Sequence, residues 1–137
     1  ASVAPSYADI TGLSASITPT SSTNKILVLF DVGVSSPNPY AALVRLQRNS
    51  SPIYVGDANG SRPQATITFD GSAYCAFRLG GSYLDSPGTT SSVTYNLAMG
   101  TTGSGTAYVG RSVNDRNTSS YDGRVPAGSI TLLEVVV

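Results

Sequence analysis

Residues 25–34 carry the most unusual hydrophobic pattern in the chain. One set of alternate positions is wholly apolar: Ile26, Val28, Phe30, Val32 and Val34. The intervening set also begins apolar, with Leu27 and Leu29. A strand with one solvated face alternates apolar and polar side chains, so this strand needs cover on both faces. One face can meet the domain's own core, and the other needs a second layer, which another subunit could supply.

The final segment, residues 129–137, repeats this pattern. Leu133, Val135 and Val137 share one face, and the other face contains a single charge, Glu134, among Ile130, Leu132 and Val136. Such a strand would aggregate at an exposed edge, so we expect it to be central or covered by a partner. Three copies around an axis would cover these faces, and a dimer would also do so. The predicted contact between subunits comprises Leu27, Leu29, Glu134 and Val136.

Glu134 is the most unusual charge because a buried carboxylate needs a partner. We expect a buried or interface salt bridge rather than a catalytic role. Three arginines within predicted strands are candidate partners: Arg45, Arg78 and Arg111.

Alternation and turn residues predict the remaining strands. They span residues 13–18, 41–48, 53–55, 65–69, 74–79, 93–99 and 106–113. Gly80 and Gly81 are expected to end the strand at residue 79. Residues 1–12 are expected to form a linker or lead-in segment, followed by one domain over residues 13–137. Eight or nine short strands without a helix predict an all-β fold, an antiparallel, jelly-roll-like β-sandwich.

Composition argues against several kinds of partner and site. The chain has 8 basic and 8 acidic residues and no dense basic cluster, so we do not expect a nucleic-acid partner. No apolar run is long enough to span a bilayer, so membrane insertion is not expected. Histidine is absent, which removes the commonest general base and metal ligand. With Cys75 as the single cysteine, one chain cannot build a structural zinc site or an internal disulfide.

Carboxylates are the remaining catalytic candidates. A glycosidase needs two of them about 5 to 10 Å apart, and Asp57, Asp115 and Asp122 lie in predicted loops. Residues 57–60 faintly resemble a calcium loop but lack its spacing and closing Glu. We therefore predict no catalytic residues, no metal and no cofactor.

The richest surface chemistry lies in the predicted loops. Residues 114–124 combine amide, carboxylate, guanidinium and phenol groups, a mixture that suits sugars. The alternative is a solvated loop in which Asp and Asn form local turns. The predicted receptor contacts are Tyr40, Asp57, Asn59, Arg62, Asp115, Arg116, Asn117, Tyr121, Asp122 and Arg124.

Several segments together carry a family likeness. They are SITPTSSTNKILV (16–28), LQR (46–48), GDANGSR (56–62), YLDSPGTT (83–90) and SITLLEV (129–135). In this order they resemble a domain at the C-terminal ends of tail fibre proteins of tailed bacteriophages, notably phages of aquatic bacteria. The resemblance spans most of the chain from Leu13 onward.

The resemblance implies an extracellular, trimeric tip domain of the virion that touches the host surface. The rest of the fibre would join it on the N-terminal side. Residues 83–90 and 129–135 would be scaffold and trimer contacts, and residues 116–121 would be the main receptor contact. The expected function is host attachment through a glycan or surface protein. The alternatives are a polysaccharide-degrading enzyme of the virion and a structural module for trimerisation or capsid decoration.

Overall fold

The computed structural model of the chain describes residues 5–71 and 75–137. The described residues form nine strands and one 3-10 helix (Tyr121–Gly123) that precedes the last strand. The strands are β1 (Ala8–Ile17), β2 (Lys25–Ser35), β3 (Ala41–Arg48), β4 (Ser51–Ile53), β5 (Ile67–Asp70), β6 (Phe77–Asp85), β7 (Val93–Thr101), β8 (Tyr108–Val109) and β9 (Ser129–Val135). No helix in these described ranges is long and apolar enough to cross a membrane.

The strands build two antiparallel sheets that face each other, which confirms the predicted β-sandwich. Sheet I has the order β1-β7-β3, and both β4 and β5 pair with the free edge of β3. In sheet II, β2 lies between β6 on one side and β8 with β9 on the other. The chain crosses repeatedly between the sheets, so most neighbouring strands in each sheet are distant in sequence, whereas β3 and β4 form a hairpin.

The core lies between the two sheets and follows the predicted alternation. From β2 it receives the buried side chains Ile26, Val28, Phe30, Val32 and Val34. Sheet I contributes Val44 and Leu46 from β3 and Val93, Tyr95 and Leu97 from β7. Burial of each such side chain stabilises the fold by roughly 1.5–3 kcal/mol. The core therefore fixes which face of β2 points inward.

The first strand begins earlier than the sequence pattern predicts. We expected a linker over residues 1–12, but β1 starts at Ala8, where Ala8 and Asp9 pair with Met99 and Ala98 of β7. The register shifts between Asp9 and Ser14, and Gly12 in this bulge has a φ of +86°. A bulge interrupts the strict alternation of side chains between the two faces of a strand. This explains why the sequence pattern predicts a strand only from Leu13 onward. Residues 1–4 of the predicted linker lie outside the described residues.

Strand β6 continues through the two glycines that were expected to end it. Gly80 lies opposite Asp31, and Gly81 lies opposite Phe30. A Cβ at Gly80 would lie only 2.5 Å from the Phe30 carbonyl oxygen. Here the glycines permit close approach of two backbones rather than a turn. The predicted start of this strand at Tyr74 lies outside the described residues.

The connections divide between two ends of the sandwich. The turn end carries residues 18–24, 49–50 and 86–92. The loop end carries residues 36–40, 102–107 and 110–128. Since Ala8 pairs with Met99 and Ile17 pairs with Val93, β1 runs from the loop end to the turn end.

Candidate functional site

The β8–β9 loop, residues 110–128, is anchored to the loop end by backbone and hydroxyl groups. The Gly110 N–H donates to the Gly33 carbonyl at 2.9 Å. The Ser35 hydroxyl donates to the Arg111 carbonyl at 2.7 Å. The buried Ser112 hydroxyl donates to the Asp122 carbonyl and accepts a 3.2 Å hydrogen bond from the Asp115 N–H. The loop is thus built around a buried serine.

Two ion pairs occupy the carboxylates of this loop. Arg111 contacts Asp115 at 3.6 Å, and Arg116 contacts the buried Asp122 carboxylate at 3.3 Å. They are two of the three carboxylates that were candidates for a glycosidase pair. Each is engaged by a guanidinium instead of facing an open cleft.

The exposed polar groups of the loop are therefore fewer than its sequence suggests. Arg116, Asn117 and Arg124 are exposed, whereas Asp122 is buried and serves the loop's own structure. The backbone of Tyr121 belongs to the short 3-10 helix, and its side chain lies outside the described part of the chain.

Tyr40 packs inside the loop end. Its ring packs directly against Gly103 and Gly105. A Cβ atom at either glycine would clash with the ring. Its hydroxyl lies 3.1 Å from the Ser104 hydroxyl. The half-buried ring thus holds the β7–β8 connection and offers little surface for receptor contact.

The remaining predicted receptor residues lie elsewhere, in the β4–β5 loop. Asp57, Asn59 and Arg62 are exposed in this loop, residues 54–66. Its base is closed by a 3.3 Å hydrogen bond from the Gly56 N–H to the Ala65 carbonyl. The ten predicted contacts therefore do not form one site, because they divide between the loop end and the flank of sheet I.

The β4–β5 loop folds toward the outer face of sheet I and encloses a cavity of about 300 Å³. Arg45 of β3 and Tyr7, from the segment before β1, line this cavity together with Arg62. The Tyr7 hydroxyl donates to the Gln64 carbonyl at 2.8 Å, and Arg45 Cζ lies 3.9 Å from the centre of the Tyr7 ring. Burial raises the pKa of Tyr7, and the nearby Arg45 charge partly opposes that shift. The phenol therefore remains a neutral hydrogen-bond donor.

Sequence reasoning included Arg62 of this cavity and missed its other two chemical groups. Arg45 was assigned as a possible partner of Glu134, although it alternates with the inward-facing Val44 and Leu46 and so must point outward. Tyr7 was placed in the predicted linker. The alternation could have found Arg45, whereas no local pattern marks Tyr7.

Two stacked aromatic rings lie at the side of the sandwich, where the start of the β4–β5 loop meets β6. The Tyr54 ring stacks on Tyr83 of β6, with centroids 4.6 Å apart. Tyr54 is 51% exposed and has a φ of +52°. It therefore presents an aromatic face to solvent next to the β4–β5 loop.

The outer face of sheet II is apolar at its centre. Leu27 lies directly between Leu84 of β6 and Leu133 of β9. Leu29 and Val135 adjoin this row on the same face. Four of these five are substantially exposed: Leu84 at 45%, Leu133 at 49%, Leu29 at 39% and Val135 at 36%. We call these five residues the apolar outer face.

This face removes one of the two alternatives expected for the last strand, a central position, and leaves cover by a partner as a prediction. In the described residues β9 pairs with β2 alone, so it is an edge strand and not a central one. Its apolar side is uncovered in the single chain. Leu27 and Leu29 stay candidates for a contact between subunits.

Glu134 and Val136 do not belong to the apolar outer face. Glu134 pairs with Ile26, so its side chain points to the core side at the turn end. Val136 follows β9 and is 80% exposed. The predicted subunit contact of four residues is therefore split between different surfaces.

Glu134 also has different partners from those expected. Its carboxylate accepts hydrogen bonds from the Thr20 N–H at 2.6 Å, the Thr20 hydroxyl at 2.9 Å and the Asn24 amide at 2.8 Å. The predicted salt bridge to Arg45, Arg78 or Arg111 is wrong, because uncharged donors of the β1–β2 turn reach the carboxylate. Its pKa is lowered chiefly by the Asn24 amide and then by the Thr20 N–H.

Within residues 5–71 and 75–137, no three acidic or cysteine side chains come together in a way that could hold a metal ion. No protein-family model and no curated protein matches the chain.

Proposed function

We propose that this domain is the receptor-binding tip of a bacteriophage tail fibre. It acts as an extracellular homotrimer on the virion and attaches to a glycan or surface protein of the host without catalysis. The observation that carries the proposal is the uncovered apolar outer face of sheet II on a sandwich that displays polar loops elsewhere. The family likeness of the sequence segments supports the same function.

The apolar outer face supports assembly from copies of this chain. A row of three leucines across three strands can face the same rows of two other copies around a three-fold axis. At one end of the face, Asp31 pairs with Arg78 at 2.8 Å and accepts a hydrogen bond from Ser129. This neutral pair adds no net charge that would repel another copy. Three copies with these faces inward would leave the loops of sheet I on the outside.

The direction of β1 bears on where a receptor would bind. A fibre on the N-terminal side would approach the loop end, where β1 begins. The turn end and the flank with the β4–β5 loop would then be free to face the host. This arrangement favours Asp57, Asn59 and Arg62 as receptor contacts over residues 116–121.

Attachment is tested by adding the purified domain to host bacteria before the phage. We expect the domain to bind the cells saturably and to lower phage adsorption. A fibre that lacks the domain but still adsorbs normally would contradict the proposal and favour the structural module. Release of reducing sugar from the host envelope, abolished by Asp115→Ala or Asp122→Ala, would favour the enzyme.

A further inference from the structure

We propose that the cavity between the β4–β5 loop and sheet I binds a carboxylate-bearing sugar unit, such as a uronic acid. This inference deepens the proposed attachment function and rests on it, since it names the receptor class. The cavity is defined by Tyr7, Arg45 and the loop residues around Arg62.

The charge of the cavity points to an anionic ligand. Four arginines of the described residues form ion pairs: Arg48, Arg78, Arg111 and Arg116. Arg45 and Arg62 are not among them, and no Asp or Glu lines the cavity. Two guanidinium groups without an acidic partner thus share one concave site. A carboxylate can accept paired, charge-assisted hydrogen bonds from such groups.

Arg45 is held in place before any ligand binds. With the Gln47 amide oriented so that its oxygen faces Arg45, that oxygen accepts hydrogen bonds from the Arg45 Nε and Nη2 atoms, each at 2.9 Å. The Tyr7 ring lies 3.9 Å beneath its Cζ atom, and Tyr7 is itself fixed by the Gln64 carbonyl. A guanidinium that is already oriented loses less side-chain entropy when it binds a ligand. These contacts distinguish Arg45 from a mobile surface arginine.

The walls of the cavity favour a sugar over a bare anion. Its volume of about 300 Å³ is at the lower end of the range for small-molecule sites. Pro52, Val55 and Pro63 supply apolar surface, and Ser61 and Gln64 are neutral polar residues of the lining. A sugar ring has apolar patches and hydroxyl groups that match both kinds of wall.

The test is a titration of the whole domain followed by amide chemical shifts. The probes are glucuronic acid, glucose as the neutral match and acetate as the carboxylate alone. We expect glucuronic acid to shift the amide resonances of residues 60–62 and 64 saturably, with glucose and acetate each binding at least tenfold more weakly. Equal binding of glucose would overturn the role of the charge. Equal binding of acetate would overturn the role of the sugar.

Matched arginine variants locate the binding site. Arg62→Gln and Arg45→Gln should each weaken glucuronic acid binding by about tenfold or more, since each removes a charge-assisted hydrogen bond. The control is Arg78→Gln, at an exposed arginine of β6 on the opposite sheet, which should bind as the unmodified domain does. Because Arg62 is exposed in a loop, its variant should fold normally even if Arg45→Gln does not. Unchanged affinity in Arg62→Gln would overturn the inference.

Cell binding separates failure of this inference from failure of the proposed function. If the domain binds host cells and Arg62→Gln binds them equally well, the sugar site is wrong and the attachment function stands. If the domain binds glucuronic acid but no host cell, the attachment function is wrong, and the inference that the cavity binds a carboxylate-bearing sugar stands. Loss of cell binding in Arg62→Gln, with competition by glucuronic acid, supports both.

Discussion

Asp85 is the residue that most directly ties the two sheets together. It lies on β6 of sheet II and is 5% exposed. Its carboxylate accepts two hydrogen bonds from Arg48 of β3, at 2.9 and 2.7 Å, and one from the Tyr95 hydroxyl of β7, at 2.6 Å. Burial and then the Asp85 carboxylate raise the pKa of Tyr95, so the phenol stays a donor. The cluster satisfies each of its buried polar groups.

Asp85→Ala should lower the free energy of unfolding by about 3 kcal/mol. Removing one partner of a buried ion pair costs about 3–5 kcal/mol. We expect the lower value because the Arg48 side chain is 31% exposed. The matched control is Asp31→Ala, which breaks the more exposed pair with Arg78 and should cost at most about 1 kcal/mol. Urea unfolding at one protein concentration measures both. Equal losses in the two variants would contradict the bridging role of Asp85.

Glu134 should make stability depend on acidic pH. Its folded-state pKa lies below the ordinary value of 4.5, so its stabilising effect is complete above that value and is lost as pH falls through the lower one. Glu134→Gln keeps an acceptor oxygen but removes the charge. The variant should therefore be less stable at pH 7, and the difference should shrink as the pH falls below 4.5. The control is Asp57→Asn, at an exposed loop carboxylate. If the stability difference for Glu134→Gln stays constant with pH, the charge of Glu134 does not stabilise the fold.

At the scale of elements, alternation identified most strands because each has one face in a shared core. It placed Ile26, Val28, Phe30, Val32 and Val34 of β2 on one face, and these side chains line the core. It failed where backbone geometry overrides side-chain pattern, at the bulge of β1 and at the Gly80-Gly81 pair of β6. The turn at Asn49-Ser50 was predictable by residue type. Both residues have positive φ, as a two-residue type I′ hairpin requires.

Gly80→Ala tests the continuity of β6. The new Cβ would lie 2.5 Å from the Phe30 carbonyl oxygen and 2.7 Å from the Asp31 Cβ, so the strands must separate locally. We expect a loss of about 1–3 kcal/mol in thermal or urea unfolding. Gly56→Ala is the control, since its Cβ would meet nothing within 4 Å. A Gly80→Ala protein as stable as the control would argue against the β2–β6 pairing.

The candidate sites were harder to predict than the strands. Residue type marked Asp115 and Asp122 as available, but Arg111 and Arg116 engage them through contacts that only the folded loop creates. The cavity beside Arg62 depends on Tyr7, which is 55 positions away in the chain. Loop chemistry in a sequence therefore gives the kinds of group present, and the fold decides which of them remain available.

At the scale of the whole molecule, the outer faces of the two sheets differ. On sheet I, outward-facing Gln47 and Asn96 are 4% and 7% exposed, because the segment before β1 and the start of β1 cover them. On sheet II, the apolar outer face has no such cover in the described chain. The asymmetry indicates that any association between copies uses sheet II.

Leu27→Asp should therefore separate the copies. It puts a charge at the centre of the leucine row, where a contact between subunits would have to desolvate it. Thr68→Asp is the control, because it adds the same charge to an exposed position on sheet I. We expect the first variant to lose association and the second to keep it, as measured by light scattering. Dissociation in both variants, or in neither, would rule out sheet II as the contact.

The mass of the unmodified domain in solution tests the central claim most directly. Sedimentation equilibrium at micromolar concentration should give a single species with three times the mass of the chain. The apolar outer face would then be buried between copies, and the polar loops would remain outside for the host. A stable species with the mass of one chain at that concentration would contradict the account.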